Sequence, residues 1–198
     1  MNRLLTRLGV SPEIQAFFNV TADLSFSYGD QWEHYGDGFH KVPTTQNLWI
    51  AGGDYASQVI ITYSAMEAVA FITLNRHRCA RLDQLAFVAI GNRLHAEQVA
   101  WIGKSFPGRK FTLVFGKDLL GHITDIKLTA GIKKIPISIF HAGHQVMIYR
   151  GEQLQVFNSE QLSLHAFQEA FSIRPRFRTA KPVQSLTFLD QLKYDAQR

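Results

Sequence analysis

A chain of 198 residues, 46% apolar and 12% aromatic, can bury a sizeable core as one domain and is too apolar for a disordered chain. Its formal net charge of +5 permits an acidic partner without requiring one. Cys79 is the single cysteine, so no internal disulfide can form. That fits a reducing cytoplasm, and no stretch reads as a signal peptide or is long enough to span a membrane.

Residues 1–56 read as an N-terminal cover for the rest. Ser11-Pro12-Glu13 opens a short helix, because proline is tolerated in a first turn. The stretch from Leu24 to Val42 is rich in glycine and aromatic residues with rough alternation, which predicts a hairpin or two short strands. His34, Tyr35 and His40 fit no tight zinc spacing and read as structural or surface residues.

Residues 57–130 hold three strand–helix units: SQVIIT then YSAMEAVAFITL, LAFVAI then HAEQVAWIGKSF, and KFTLVF then LLGHITDIKLTA. Short apolar runs rich in Val, Ile and Phe alternate with helical patterns, which predicts an α/β sheet of mainly parallel strands. Helices are expected near 63–75, 95–105 and 119–130. Leu119, Ile123, Ile126 and Ala130 form one apolar stripe, and Val99, Ile102 and Phe106 another. The first helix is apolar on almost all sides, so it belongs between layers. A fourth parallel strand is expected near 135–141, giving a core of 57–141. A hairpin partner at 144–149 and a short strand at 153–157 follow, with His141 and His144 flanking the turn. Ser163 caps a helix to about residue 171. The remainder reads as an extended basic tail, so 142–198 is expected to pack on the core as hairpin, helix and tail.

No strand is followed by G-x-G-x-x-G, and no G-x-x-x-x-G-K-[ST] occurs, which disfavours dinucleotide and P-loop enzymes. Ser64 lies at a strand-to-helix turn but lacks the flanking glycines of a nucleophile elbow. Cys79 reads as a packed or loop thiol rather than a nucleophile.

Three segments carry a family resemblance. IITYSAMEAVAF resembles the first motif of the Toprim domain, which places a glutamate at a strand end. FPGRKFTLVFGKDLLGHITDIKL resembles the second, D-x-D-x-x-G, and GNRLHAEQVAWI fits the unit between them. The resemblance covers roughly 45–135, with a weaker echo in LTFLDQLKYDAQ, and is closest to short primase-like Toprim proteins of Bacteroidetes-type genomes. It implies a Rossmann-like sheet of about four strands and an acidic strand-end site for Mg²⁺. Carried over residue by residue, the family's glutamate falls on Tyr63, its first aspartate on Gly116, its second on Asp118 and its glycine on Gly121. Two of the three acids are missing, so the resemblance implies a degenerate, non-catalytic site with no cofactor. The alternative is a rebuilt Mg²⁺-dependent phosphoryl or nucleotidyl transfer site using Glu67, Asp118 and Asp125. Asp118 alone is a poor anchor, since Mg²⁺ takes one or two carboxylates plus water and substrate oxygens.

Basic residues supply the other candidates. Arg174, Arg176, Arg178 and Lys181 form a cluster around Phe177, in which arginine could pair with phosphate and phenylalanine stack on a base. Asn92, Arg93 and Lys117 lie at strand ends and could add donors. Arg76, His77, Arg78 and Arg81 fall between the first helix and the second strand, at the amino end of the sheet. DNA, RNA or a protein partner are the expected ligands.

Overall fold

The structure is a computed structural model that describes every residue except Asp54, Ala80 and Pro175. It opens with two short helices, α1 (Arg3–Arg7) and α2 (Pro12–Phe17). The Asn2 and Ser11 side chains accept hydrogen bonds from first-turn amides and so cap them. An antiparallel three-stranded sheet follows, made of β1 (Ser25–Tyr28), β2 (Gln31–Gly36) and β3 (Phe39–Lys41).

The main sheet is built from β4 (Trp49–Gly52), β5 (Gln58–Thr62), β6 (Leu85–Ala89), β7 (Lys110–Val114) and β11 (Phe177–Thr179), in the order β11-β7-β5-β6-β4. The four strands from β11 to β6 run parallel, and β4 joins the edge antiparallel to β6. Helices α3 (Ala65–Asn75), α4 (Ala96–Ser105) and α5 (Leu119–Ile132) follow β5, β6 and β7, close to the positions their periodicity predicts.

Side-chain alternation along the strands divides the interior in two. Ile60, Phe87 and Val114 face α3 and the N-terminal elements. Val59, Ile61, Val88 and Leu113 face the layer containing Ile102 and Ile126. Helix α3 is buried on nearly every side, as its composition requires. It lies against the sheet and against α7 (Phe188–Ala196), where Phe71 and Phe188 pack edge to face with centroids 5.2 Å apart.

Three expectations fail after residue 132. The strand predicted near 135–141 exists as β8 (Ser138–Ala142), but it belongs to a separate antiparallel meander with β9 (Gln145–Arg150) and β10 (Gln153–Asn158). A run of alternating residues specifies a strand and not which neighbour it pairs with. The turn holds Gly143 and His144 rather than Ala142 and Gly143, and His141 pairs across with Val146. The two histidines therefore do not flank it symmetrically.

The segment after α6 (Leu164–Ala170) is not an extended tail. It supplies β11, the fourth parallel strand, and then α7. Phe177 is 8% exposed and stacks on Phe111 with centroids 4.9 Å apart and planes 10° apart. That contact fixes β11 beside β7. Phe177→Ala should therefore cost about 3 kcal/mol or more in denaturant unfolding and abolish hydrogen-exchange protection at 177–179. A free tail would show neither effect.

Candidate functional site

In a parallel sheet, ligands bind beyond the carboxyl ends of the strands, where helix N-termini attract anions. Here that crevice lies between Tyr63, Ser64, Asn92 and Gly116, with a volume of about 190 Å³. Its polar groups are largely committed to one another.

The first helix end is filled by Glu33, from β2. Its side chain is fully buried, and its two oxygens accept from the Ala65 amide at 2.7 Å, the Met66 amide at 3.0 Å and the Tyr28 hydroxyl at 2.8 Å. His40 Nε2 lies 2.9 Å away. Ser64 completes the cap by accepting from the Glu67 amide. The protein's own carboxylate thus occupies the place an anionic ligand would take at α3.

Glu67 and Asp118 are committed in the same way. Glu67 accepts from the Phe188 and Leu189 amides at 3.0 and 3.1 Å and so caps α7. Burial pushes its carboxyl above the usual range, while the Thr187 side chain and those amides pull it back. Asp118 caps its own helix, accepting from the Gly121 amide at 2.8 Å. Gly121 must lack a side chain, since a Cβ there would stand 2.1 Å from the Gly116 carbonyl oxygen. Tyr63 points its hydroxyl to Thr124, 2.7 Å away, and burial pushes its phenol up to about 12.

The position of Lys181 was not foreseen. Its ammonium lies beyond the end of β7 and donates to the Phe115 and Gly116 carbonyls at 3.2 and 2.9 Å and to Asp125 Oδ2 at 2.7 Å. Burial raises the Asp125 carboxyl to about 6, with Lys181 opposing the shift. Lys117 does not pair with Asp118. Its ammonium donates to the Val183 carbonyl, and its backbone amide to the Leu186 carbonyl. Residues 181–187 therefore cross the end of β7 as a strap that leads into α7.

The residues expected to bind nucleic acid do not form one surface. Asn92, Arg93 and Lys117 are exposed at the carboxyl end, whereas Lys181 is consumed beneath the strap. Arg176 and Arg178 lie elsewhere, in a cleft of about 440 Å³ that they line with Gln58, Arg109 and Lys110 at the amino ends of β5 and β7. No acid is among the described residues lining it. Lys133 hydrogen-bonds the Arg174 carbonyl, and burial together with the nearby Arg176 pushes its ammonium below the usual lysine range. Phe177 is stacked in the core and presents no free face to a base. Arg76 and Arg81 of the other basic segment are paired with Glu13 and Asp83. Burial holds the Cys79 thiol above its ordinary range, the direction opposite to that of a reactive thiolate.

Among the described residues, no group of three or more His, Cys, Asp or Glu side chains is placed to hold a metal ion, and no helix is long and apolar enough to cross a membrane. No protein-family model matches the chain, and no curated protein or solved structure matches it significantly.

Sequence reasoning found Glu67, Asp118 and Asp125 but missed Glu33 and the role of Lys181. Alternation puts Glu33 on the inward face of β2 with Tyr35, and an acid on an apolar face was the available signal.

Two expected outcomes follow from these pairings. Glu33→Ala leaves two α3 amides and the Tyr28 hydroxyl without their acceptor, and should lower unfolding free energy by about 3 kcal/mol or more. Lys181→Met leaves Asp125 buried without its cation. The Asp125 carboxyl is raised, so ionising it disfavours the folded state as pH climbs from about 4 through about 6. Lys181 offsets part of that cost only while Asp125 is ionised. The deficit of Lys181→Met relative to the parent should thus be larger at pH 8 than at pH 5, approaching about 3 kcal/mol in urea titrations. An equal deficit at both pH values would show that the pair is not coupled.

Proposed function

We propose that this chain is a non-catalytic, Toprim-like α/β protein that binds the phosphate backbone of a nucleic acid. The observation that carries the binding half is the cleft lined by Arg109, Lys110, Arg176 and Arg178, with no acid among the described residues that line it. Guanidinium groups pair with phosphate oxygens through two parallel hydrogen bonds. Crowded cations are relieved by an anion. With Phe177 stacked on Phe111, recognition falls to the backbone and carries little base specificity.

The non-catalytic half is supported by how the candidate acids are used. Glu67 holds α7, Asp118 holds α5 and Asp125 holds Lys181. A Mg²⁺ site needs oxygen ligands free to converge on one ion. The alternative, a rebuilt phosphoryl or nucleotidyl transfer site on these three acids, would have to break all three arrangements. Lys181 already supplies a positive charge at the end of β7.

The test is binding of single-stranded and duplex DNA and RNA as a function of salt. Replacing Arg109, Arg176 and Arg178 together by alanine should flatten the log–log salt slope by roughly 0.7 per lost contact on single strands and about 0.9 on duplex DNA. Lys117→Ala should leave it unchanged. A slope untouched by the triple substitution would remove nucleic-acid binding through this cleft. Metal-dependent nucleotide incorporation or cleavage that vanishes in Asp118→Asn would overturn the non-catalytic half.

A further inference from the structure

A larger concavity lies away from both the strand ends and the basic cleft. It is a groove of about 750 Å³ between α4 and α5 on the outer side of the sheet layer. Val99, Gly103 and Ile132 line its floor, and Lys104, Lys127 and Lys134 stand along it. No acid is among the described residues that line it.

We propose that this groove docks an acidic amphipathic helix of a partner protein. The groove follows two neighbouring helices, which makes a trough suited to a third helix packed ridge into groove. From residue 96 to residue 104 its length is about 12 Å, or roughly two helical turns. Ala96, Ala100 and Gly103 are spaced at steps of four and three along α4 and all line the trough, so a partner backbone can approach closely.

The placement of charge selects the occupant. Lys104 comes from α4, Lys127 from α5 and Lys134 from the turn just past the C-terminus of α5, so lysines stand on both sides. Lys127 and Lys134 are seven residues apart, one in the last two turns of α5 and the other just beyond its end. A single-headed amphiphile, such as a fatty acid, would use one of these positions. A helix with carboxylates on both flanks of an apolar stripe meets them all. This inference does not depend on the nucleic-acid reading, because none of these residues lines the basic cleft.

The probe is a fluorescein-labelled peptide of about 14 residues, roughly four helical turns, with leucine at helical spacing and glutamate on both flanks. Its controls are the same peptide with lysine for glutamate, a scrambled sequence, and dodecanoate as competitor. The full chain should bind the acidic peptide, with hydrogen-exchange protection confined to 94–104 and 127–134. Gly103→Leu should weaken binding at least ~10-fold by filling the trough. A Cβ at Gly103 meets Ile132 only at 3.7 Å, an ordinary contact, and the rest of the leucine side chain has the open trough to enter, so circular dichroism and the urea midpoint should be unchanged. Alanine at Lys104, Lys127 and Lys134 together should weaken binding about 10-fold at low salt and less at 0.5 M salt, where exposed charges are screened. Absence of protection at the groove would overturn the proposal. Equal binding of the lysine peptide, binding unaltered by both variants, or complete displacement by dodecanoate at equal affinity would do the same.

Discussion

The carboxylate of Glu33, buried at the N-terminus of α3, is the contact on which the arrangement of the molecule depends. It ties the N-terminal sheet to the first strand–helix unit through two backbone amides. Unpaired amides at a helix start carry partial positive charge and must be satisfied when buried. Glu33 satisfies them from a residue more than thirty positions away, and Tyr28 and His40 use its remaining capacity. The same device recurs one helix further on, where Glu67, carried by α3, caps α7. N-terminal segment, core and C-terminal helix are thus joined by acids placed on helix ends.

This arrangement has a consequence for function. The carboxyl ends of a parallel sheet are an inviting ligand site because amide dipoles and unpaired carbonyls collect there. In this chain Glu33 meets the helix dipole and Lys181 meets the strand-end carbonyls. The strap from 181 to 187 then crosses the place where a substrate would approach. The two surfaces proposed to take a partner lie away from the crevice, in the basic cleft at the amino ends of β5 and β7 and in the groove between α4 and α5. Charge distinguishes them: the cleft gathers arginines at one point, and the groove spreads lysines along an apolar floor.

Much of the core was legible in the sequence because periodicity is a local property. The strands β5, β6 and β7 and the helices that follow them stand close to where apolar spacing puts them. Ser163 caps α6 as its position before the apolar run implies. The tail was misread because Phe177-Arg178-Thr179 is too short to announce a strand. Its place is fixed by stacking of Phe177 on Phe111, sixty-six residues away in the chain. For the candidate site, residue types were visible but partners were not. Glu67 and Asp118 are acids of the right kind near strand ends, yet each is turned to a helix amide.

The sequence by itself determined the alternation of strand and helix and the burial of α3 on nearly every side. These follow from side-chain polarity at fixed local spacing. Only the tertiary structure decided that β8 leaves the main sheet, that β11 enters it, and that Lys181 is spent on Asp125 rather than on a ligand. Each of those outcomes is a choice among distant partners of similar chemistry, and that choice is made by which pairing buries the most apolar surface while leaving the fewest charges unpaired.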